Sequence, residues 1–446
     1  MAARRAAGQL SVTDFPNPCL HRGAILHFVA DPGSGDDPAS YQYWEQGALL
    51  IAHGRVHAVG PAAEVAARAG AAEVIDHGRK LIIPGFIDTH IHYPQTDIIA
   101  AGGRNLLEWL EHHAFPAEQR FADPQHARAV AEFFLDELLA NGTTTAQVLG
   151  TVHPAAIDAF FEAAAARELR MVAGKTLMDR LSPDGLRDSA DSGEREMRSL
   201  IERWHGRGRL HYAMTVRFAL TSSEAQLAST GRLAREYPDV FVHSHLAESR
   251  DEIESIRRLF PRDRSYLDVY DRFGLLRPRA TYAHCLYLDA TDRQRMAESG
   301  AGAAFCPTSN LYLGSGLFDL AASDAAGMRY ALATDVGGGS SFSMLSTMAE
   351  AYKVAQLQGQ MLSPLRAFYL ATLAGARLLR LDEHIGHFKP GAEADFVVLD
   401  PESTPLLARR MAQTQTLPDR LRLFMILGDD RAVARTYILG RSQRRM

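Results

Sequence analysis

Apolar residues recur along this chain with two different periods. Eight short apolar runs stand at 81–92, 143–150, 170–178, 210–219, 240–248, 280–288, 301–309 and 329–336. Each has the length and texture of a buried strand. Between them, apolar residues return every three or four positions. In HARAVAEFFLDELLANG (126–142), Ala127, Val130, Phe133, Phe134 and Leu138 mark one helical face, and Asn141-Gly142 supplies a stop. Strand–helix alternation repeated eight times over roughly 250 residues predicts a closed parallel barrel, the (β/α)8 TIM-like fold.

The flanks have another texture. GALLIAHGRVHAVG (47–60) is two alternating runs broken by Gly54, and GAEADFVVLD (391–400) and ARTYILGRS (434–442) read the same way. Neither flank is long enough for a separate domain. The expected organisation is a barrel over 84–385, with segments 1–83 and 386–446 meeting in one small β-sandwich. A structure with the two ends on opposite sides of the barrel would exclude it.

Composition narrows the classes. Hydrophobic residues make up 46% and charged residues 23% of the 446, as in an ordinary globular protein. A net charge of −5 without a basic stripe argues against nucleic acid. Cys19, Cys285 and Cys306 are too few and too scattered for a disulfide framework, which favours a reducing compartment. MAARRAAGQLSVTDF (1–15) has two arginines but no apolar core of a secretory signal. No apolar run approaches the ~20 residues of a membrane span. A cytoplasmic protein, with neither membrane nor nucleic-acid partners, is expected.

Chemistry gathers at the ends of the predicted strands. The first run delivers His90 and His92, two residues apart and hence on one strand face. The fifth ends in His245, with Glu248 three residues on; the sixth reaches His284, and the eighth reaches Asp335 before Gly337-Gly338-Gly339. Barrels of this kind build their sites at the C-terminal strand ends. Three imidazoles (His90, His92, His245) and the Asp335 carboxylate form a metal-ligand set with room for a water. Glu248 stands where it could carry a proton, and His284 where it could orient the water. Zinc suits these donors; iron does too.

PGFIDTHIH at the first strand, His-x-x-Glu at the fifth, His284 and Thr334-Asp335 resemble the amidohydrolase superfamily. Within it the likeness is to the guanine-deaminating members. It is carried by DTHIHYPQ (88–95), LLEWLEHHAFPAE (106–118), NGTTTAQVLGTVH (141–153), RFALTSS (217–223) and HSHLAESRDEI (243–253), and extended by AHCLYL, FCPTSNLYLGSGLF and GDDRAVARTYILGR. The resemblance implies hydrolysis of guanine to xanthine and ammonia by a water activated on one zinc ion per chain. Glu248 would protonate the ring nitrogen beside C2, and Asp335 would take the proton of the attacking water. Substrate contacts would fall at Gln95, Arg217 and Phe218. An arginine fork matches guanine O6 and N7, and a Gln amide suits a lactam edge. Phe218 would stack on the purine or, facing opposite to Arg217 on a regular strand, pack in the core. Relatives of this type are often homodimers. The same scaffold also serves deaminases of other purines, pterins and triazines, and cyclic amidohydrolases.

Other candidates read as structural. His243 shares the face of His245 but lies deeper. Lys175, on the third predicted strand, would matter only in a two-metal site. His112 and His113 follow a helical segment and suit a surface or lid. Cys285 and Cys306 lack activating neighbours. The glycines after Asp335 suit a tight loop, and Gly314-Ser315-Gly316 is weak as a phosphate signal.

Overall fold

The computed structural model describes residues 18–443; the segment read above for a secretory signal lies outside them. Seven strands form one sheet in the order β16-β15-β14-β4-β1-β2-β3. They are β1 (Cys19–Phe28), β2 (Tyr41–Ala52), β3 (Arg55–Pro61), β4 (Glu73–Pro84), β14 (Phe396–Leu399), β15 (Val433–Ile438) and β16 (Arg441–Gln443). The two ends of the chain meet where β14 runs antiparallel to β4, pairing Phe396 with Pro84 and Leu399 with Leu81. One face of this sheet (Leu26, Phe28, Leu81, Ile83, Val397) joins the main core. The other (Ile25, Leu49, Ile51, Ile82, Phe396, Val398, Tyr437) closes over a core of its own.

The second sheet is the barrel. Its circuit runs β5 (Phe86–His92), β6 (Thr143–Leu149), β7 (Arg170–Gly174), β9 (His211–Val216), β10 (Phe241–Leu246), β11 (Ala280–His284), β12 (Gly302–Phe305) and β13 (Arg329–Leu332), with the short β8 (Thr176–Leu177) paired to β9. All these pairs are parallel. The ring closes just past β13, where Asp335 N–H donates to the His90 carbonyl (2.9 Å) and His92 N–H to the Val336 carbonyl (2.8 Å).

Two predicted strands are interrupted. The run 81–92 is two elements: β4 ends at Pro84 in the terminal sheet, and the barrel begins at Phe86. Gly85 makes the transfer possible, since a Cβ there would stand 2.1 Å from Thr144 Oγ1. The run 170–178 breaks at Lys175, between β7 and β8.

The helix Pro124–Ala140 shows how the connecting segments are specified. Asp123 caps it by accepting from Gln125 N–H (2.9 Å), and Pro124 occupies the first turn, where no N–H is needed. Ala127, Val130, Phe134 and Leu138 are buried against the barrel, while Phe133, expected on the same face, is 55% exposed. Asn141 ends the helix and Gly142 turns the chain at φ +81. Below the strands, Ala376, Leu379, Leu381 and Ile385 plug the barrel floor against Ile87, Val172, Ala213 and Phe241.

A buried ion cluster fastens the C-terminal segment to the barrel. Glu393 takes hydrogen bonds from Arg170, whose Nε lies 2.8 Å away, and pairs with Arg209 (2.8 Å). Burial pushes the Glu393 carboxyl up, but the Arg170 hydrogen bonds and the two guanidinium charges prevail and hold it at about 2. Its contribution to stability is therefore complete above the unfolded value of 4.5 and is lost as pH falls towards about 2. Glu393→Gln should lower unfolding free energy at pH 7 by about 3–5 kcal/mol. It should also flatten the stability profile between those two pH values. Denaturant melts across that range check both, and a profile matching the unsubstituted protein would remove the role given to the cluster.

Candidate active site

The barrel mouth collects its donors from strand ends that lie far apart in sequence. His90 and His92 come from β5, His245 from β10, His284 from the last position of β11, and Asp335 from the turn after β13. His284 and Asp335 hold left-handed backbone angles (φ +73 and +51), as do Ala247 and Cys285. Such angles are unfavourable for residues with a Cβ and persist where surroundings over-determine them. Each of these donors is buried.

Their nitrogens and oxygens converge. His90 Nε2 and His92 Nε2 are 3.2 Å apart, as are His92 Nε2 and His245 Nε2. Asp335 Oδ1 lies 3.1 Å from His90 Nε2 and 3.3 Å from His92 Nε2. A tetrahedral metal with ligands at about 2.0–2.1 Å has ligand–ligand edges of about 3.3 Å. The observed spacings match that edge. The His245 ring donates Nδ1–H to the Arg217 carbonyl (2.6 Å), which leaves the Nε2 lone pair facing the centre. Lone pairs converging on a carboxylate repel one another until a cation stands between them. His90, His245, His284 and Asp335 also bring ligand atoms within 4.8 Å of one another, so the cluster can hold a metal ion.

Burial sets the charges. It lowers the pKa of His90 to about 4 and that of His245 well below the ordinary imidazole range, so both are neutral at pH 7. Burial works against the Asp335 carboxylate too, but His90, His92 and His284 outweigh it and hold the group ionised. Glu248 is the opposite case: burial, reinforced by Asp335 and Glu252 against the pull of His284, raises it to about 7. His284 Nε2 sits between them, 3.3 Å from Glu248 Oε2 and 3.7 Å from Asp335 Oδ2. These two carboxylates overcome burial and raise the imidazole pKa. A carboxyl with a pKa near 7 beside an imidazole can give or take a proton at neutral pH.

Gln95, Arg217 and Phe218 line one cavity together with His92, His245, Glu248, His284 and Asp335. Leu106, Trp109 and Leu110 cover it from the segment after β5, where Asn105 caps a short helix. Strict alternation would have turned Phe218 away from Arg217. β9 ends at Val216, however, and beyond it both side chains face the cavity, with the Phe218 ring 6.2 Å from that of His245.

Several sequence candidates lie elsewhere. The Lys175 ammonium is fully buried away from the imidazoles, donating to the Val152 carbonyl (2.7 Å) and Asp188 (2.6 Å), with Glu196 at 3.2 Å. His243 Nε2 lies 2.7 Å from His90 Nδ1, behind the cluster. His112 is exposed, and His113 contacts the Gly102 carbonyl. Burial pushes the Cys285 and Cys306 thiols up, keeping them protonated. Gly337 packs against Gln95, where a Cβ would meet its carbonyl at 2.5 Å.

Four supporting residues were not singled out in the sequence. Asp88 accepts from the backbone N–H groups of Thr334 (3.1 Å) and His90 (3.2 Å) and from the Thr334 hydroxyl. Asn310 Oδ1 lies 2.9 Å from His284 Nδ1. Ser315, from the discounted Gly-Ser-Gly, donates to Glu248 (3.0 Å). Glu118 binds both Gln95 and Arg217. Only Asp88 had a legible signal, standing on the same strand as the two histidines.

The chain is similar to known proteins over nearly its whole length. Residues 81–442 match the family described as the amidohydrolase family. Guanine deaminase of Escherichia coli strain K12 is 49% identical over 422 residues, 94% of this chain and 96% of that protein. Its solved structure superposes with a TM-score of 0.93 at 48% identity, covering 95% of this chain and 99% of that one. A probable guanine deaminase of Deinococcus radiodurans is 42% identical, over 94% of this chain and 97% of its own length. The C. acetobutylicum guanine deaminase, solved with guanine bound in its active site, superposes at a TM-score of 0.86 and 25% identity, over 96% of this chain and all of that one. The chain belongs to the amidohydrolase family.

Proposed function

We propose that this chain hydrolyses guanine to xanthine and ammonia. The observation that carries the reading is one cavity lined by His92, His245, Glu248, His284 and Asp335 together with the buried Gln95 and Arg217. Similarity to guanine deaminases over nearly the whole chain supports it.

His90, His92, His245 and Asp335 would hold one zinc ion. When bound, zinc brings the pKa of a coordinated water to about 7. Xanthine carries its new oxygen at C2, so water must add at the carbon bearing the exocyclic amine. Asp335, ionised and beside the cluster, accepts the proton that this water loses. Glu248, near pH 7 still partly protonated, donates to the ring nitrogen next to C2. His284, between the two carboxylates, orients the water. Asp335 then returns its one proton to the amine, the C2–N bond breaks and ammonia leaves, and the proton of the C2 hydroxyl passes to Glu248 as the carbonyl forms.

In the same cavity, Arg217 offers donors to the O6 and N7 edge of guanine. Adenine carries an amino donor where guanine carries O6, so the same side chain would reject it. Gln95 presents one amide hydrogen and a carbonyl lone pair to the lactam edge. Phe218 provides an apolar surface beside the ring.

Ammonia release from a panel of amino-purines, pterins and triazines tests the substrate, with guanine expected to give the highest kcat/KM. Glu248→Gln should lower kcat about 10²–10⁴-fold with metal content unchanged. A better substrate than guanine, or an active Glu248→Gln enzyme, would refute the respective assignment.

Metal analysis of the dialysed protein should give one zinc per chain, and Asp335→Asn should retain at least about tenfold less. Chelation should abolish turnover and zinc should restore it. Two equivalents of metal, or full activity after chelation, would overturn the one-metal assignment.

A further inference from the structure

Resting on the guanine reading above, we propose that Glu118 is a positioning residue that sets the preference for a 6-oxo purine. Glu118 lies on the short helix Phe115–Gln119 and is fully buried. It does not line the cavity, whereas Arg217 and Gln95 do. Its carboxylate receives three hydrogen bonds. Arg217 Nη1 donates to Oε1 (2.8 Å) and Oε2 (2.6 Å), and Gln95 Nε2 donates to Oε1 (2.9 Å). One oxygen is thus shared by the two side chains assigned to substrate recognition.

Three consequences follow from this geometry. First, guanine is neutral and cannot compensate a buried guanidinium; Glu118 does so before substrate arrives. Second, only Nη1 of Arg217 is engaged with Glu118, so the Nε and Nη2 hydrogens stay available to an acceptor edge. The Phe115 ring, from the same helix, lies 5.3 Å from the guanidinium carbon and limits its swing. Third, an ionised carboxylate only accepts, so it fixes which way the Gln95 amide faces. Nε2 must face Glu118, and Oε1 then faces Gly337 N–H at 3.3 Å. A flipped amide would set two acceptors against each other.

The positioning also reaches the metal cluster. The Arg217 carbonyl accepts the Nδ1–H of His245. The residue whose side chain Glu118 fixes therefore also sets the orientation of one metal-ligand ring through its backbone. Recognition edge and reacting centre are held in register across a single residue.

The test compares hypoxanthine with purine as ligands, since they differ by the 6-oxo group and its ring hydrogen. Binding is measured by calorimetry on metal-loaded enzyme. Unsubstituted enzyme should prefer hypoxanthine, and Glu118→Gln should cut that preference about 10–100-fold, because purine offers Arg217 only N7 and so weakens less, while metal content holds. For guanine, KM should rise more than kcat falls, and Glu118→Asp should recover part of the loss. A structural role alone would weaken both ligands equally. That result, an unchanged ratio, or no preference in the unsubstituted enzyme would overturn the proposal. If Glu118→Gln does not accumulate folded, the Glu118→Asp ratio decides, and an unchanged value refutes. Should the unsubstituted enzyme fail to deaminate guanine, the functional reading falls, while the binding ratio still judges Glu118.

Discussion

The site depends on the hydrogen-bonded seam at which the barrel closes. The His90 carbonyl accepts from Asp335 N–H, and the Val336 carbonyl accepts from His92 N–H. The first and last strands thus bring in their metal-ligating side chains through the same bonds that complete the ring. Asp88 reinforces the seam by gripping Thr334, the residue before Asp335. The close approach of His90 and Asp335 is a backbone property, so little side-chain freedom is left to lose when an ion binds. Below, the apolar plug of Ala376, Leu379, Leu381 and Ile385 seals the floor.

Charge is distributed over the cavity so that few uncompensated groups face a neutral base. His90 and His245 are held neutral by burial, and the ionised Asp335 looks into the ligand cluster. The Arg217 charge is matched by Glu118 within hydrogen-bond distance. The group left near its titration point is Glu248, held by Ser315 and beside His284.

Much of this could be read from the sequence because parallel strands buried on both faces appear as unbroken apolar runs. The eight runs all correspond to barrel strands, and His90, His92, His245, His284 and Asp335 converge because they terminate such runs. The misreadings have local physical causes. Gly85 lets one apolar run serve two sheets, since apolarity does not report which sheet a strand joins. Phe218, for which stacking and core packing both stayed open, faces the cavity because β9 stops before it and alternation no longer applies. Phe133 is exposed although the helical period placed it inward. Glu118, Asn310 and Ser315 were missed because each acts through a partner distant in sequence. Glu118 and Arg217, for example, are 99 residues apart.

That difference in legibility reflects a division of labour within the fold. The groups proposed to react sit on or just past strand ends, where the barrel holds them. Glu118, Phe115 and the covering residues Leu106, Trp109 and Leu110 all come from the one segment between β5 and β6. Loops at this end of a barrel tolerate change without disturbing the strands. Substrate choice can then be retuned within 106–119 while the ligand cluster stays intact. The coupling that limits this freedom is Arg217, whose side chain answers to Glu118 and whose carbonyl holds His245. A change in the covering segment that drags Arg217 out of place would disturb the metal cluster as well as recognition.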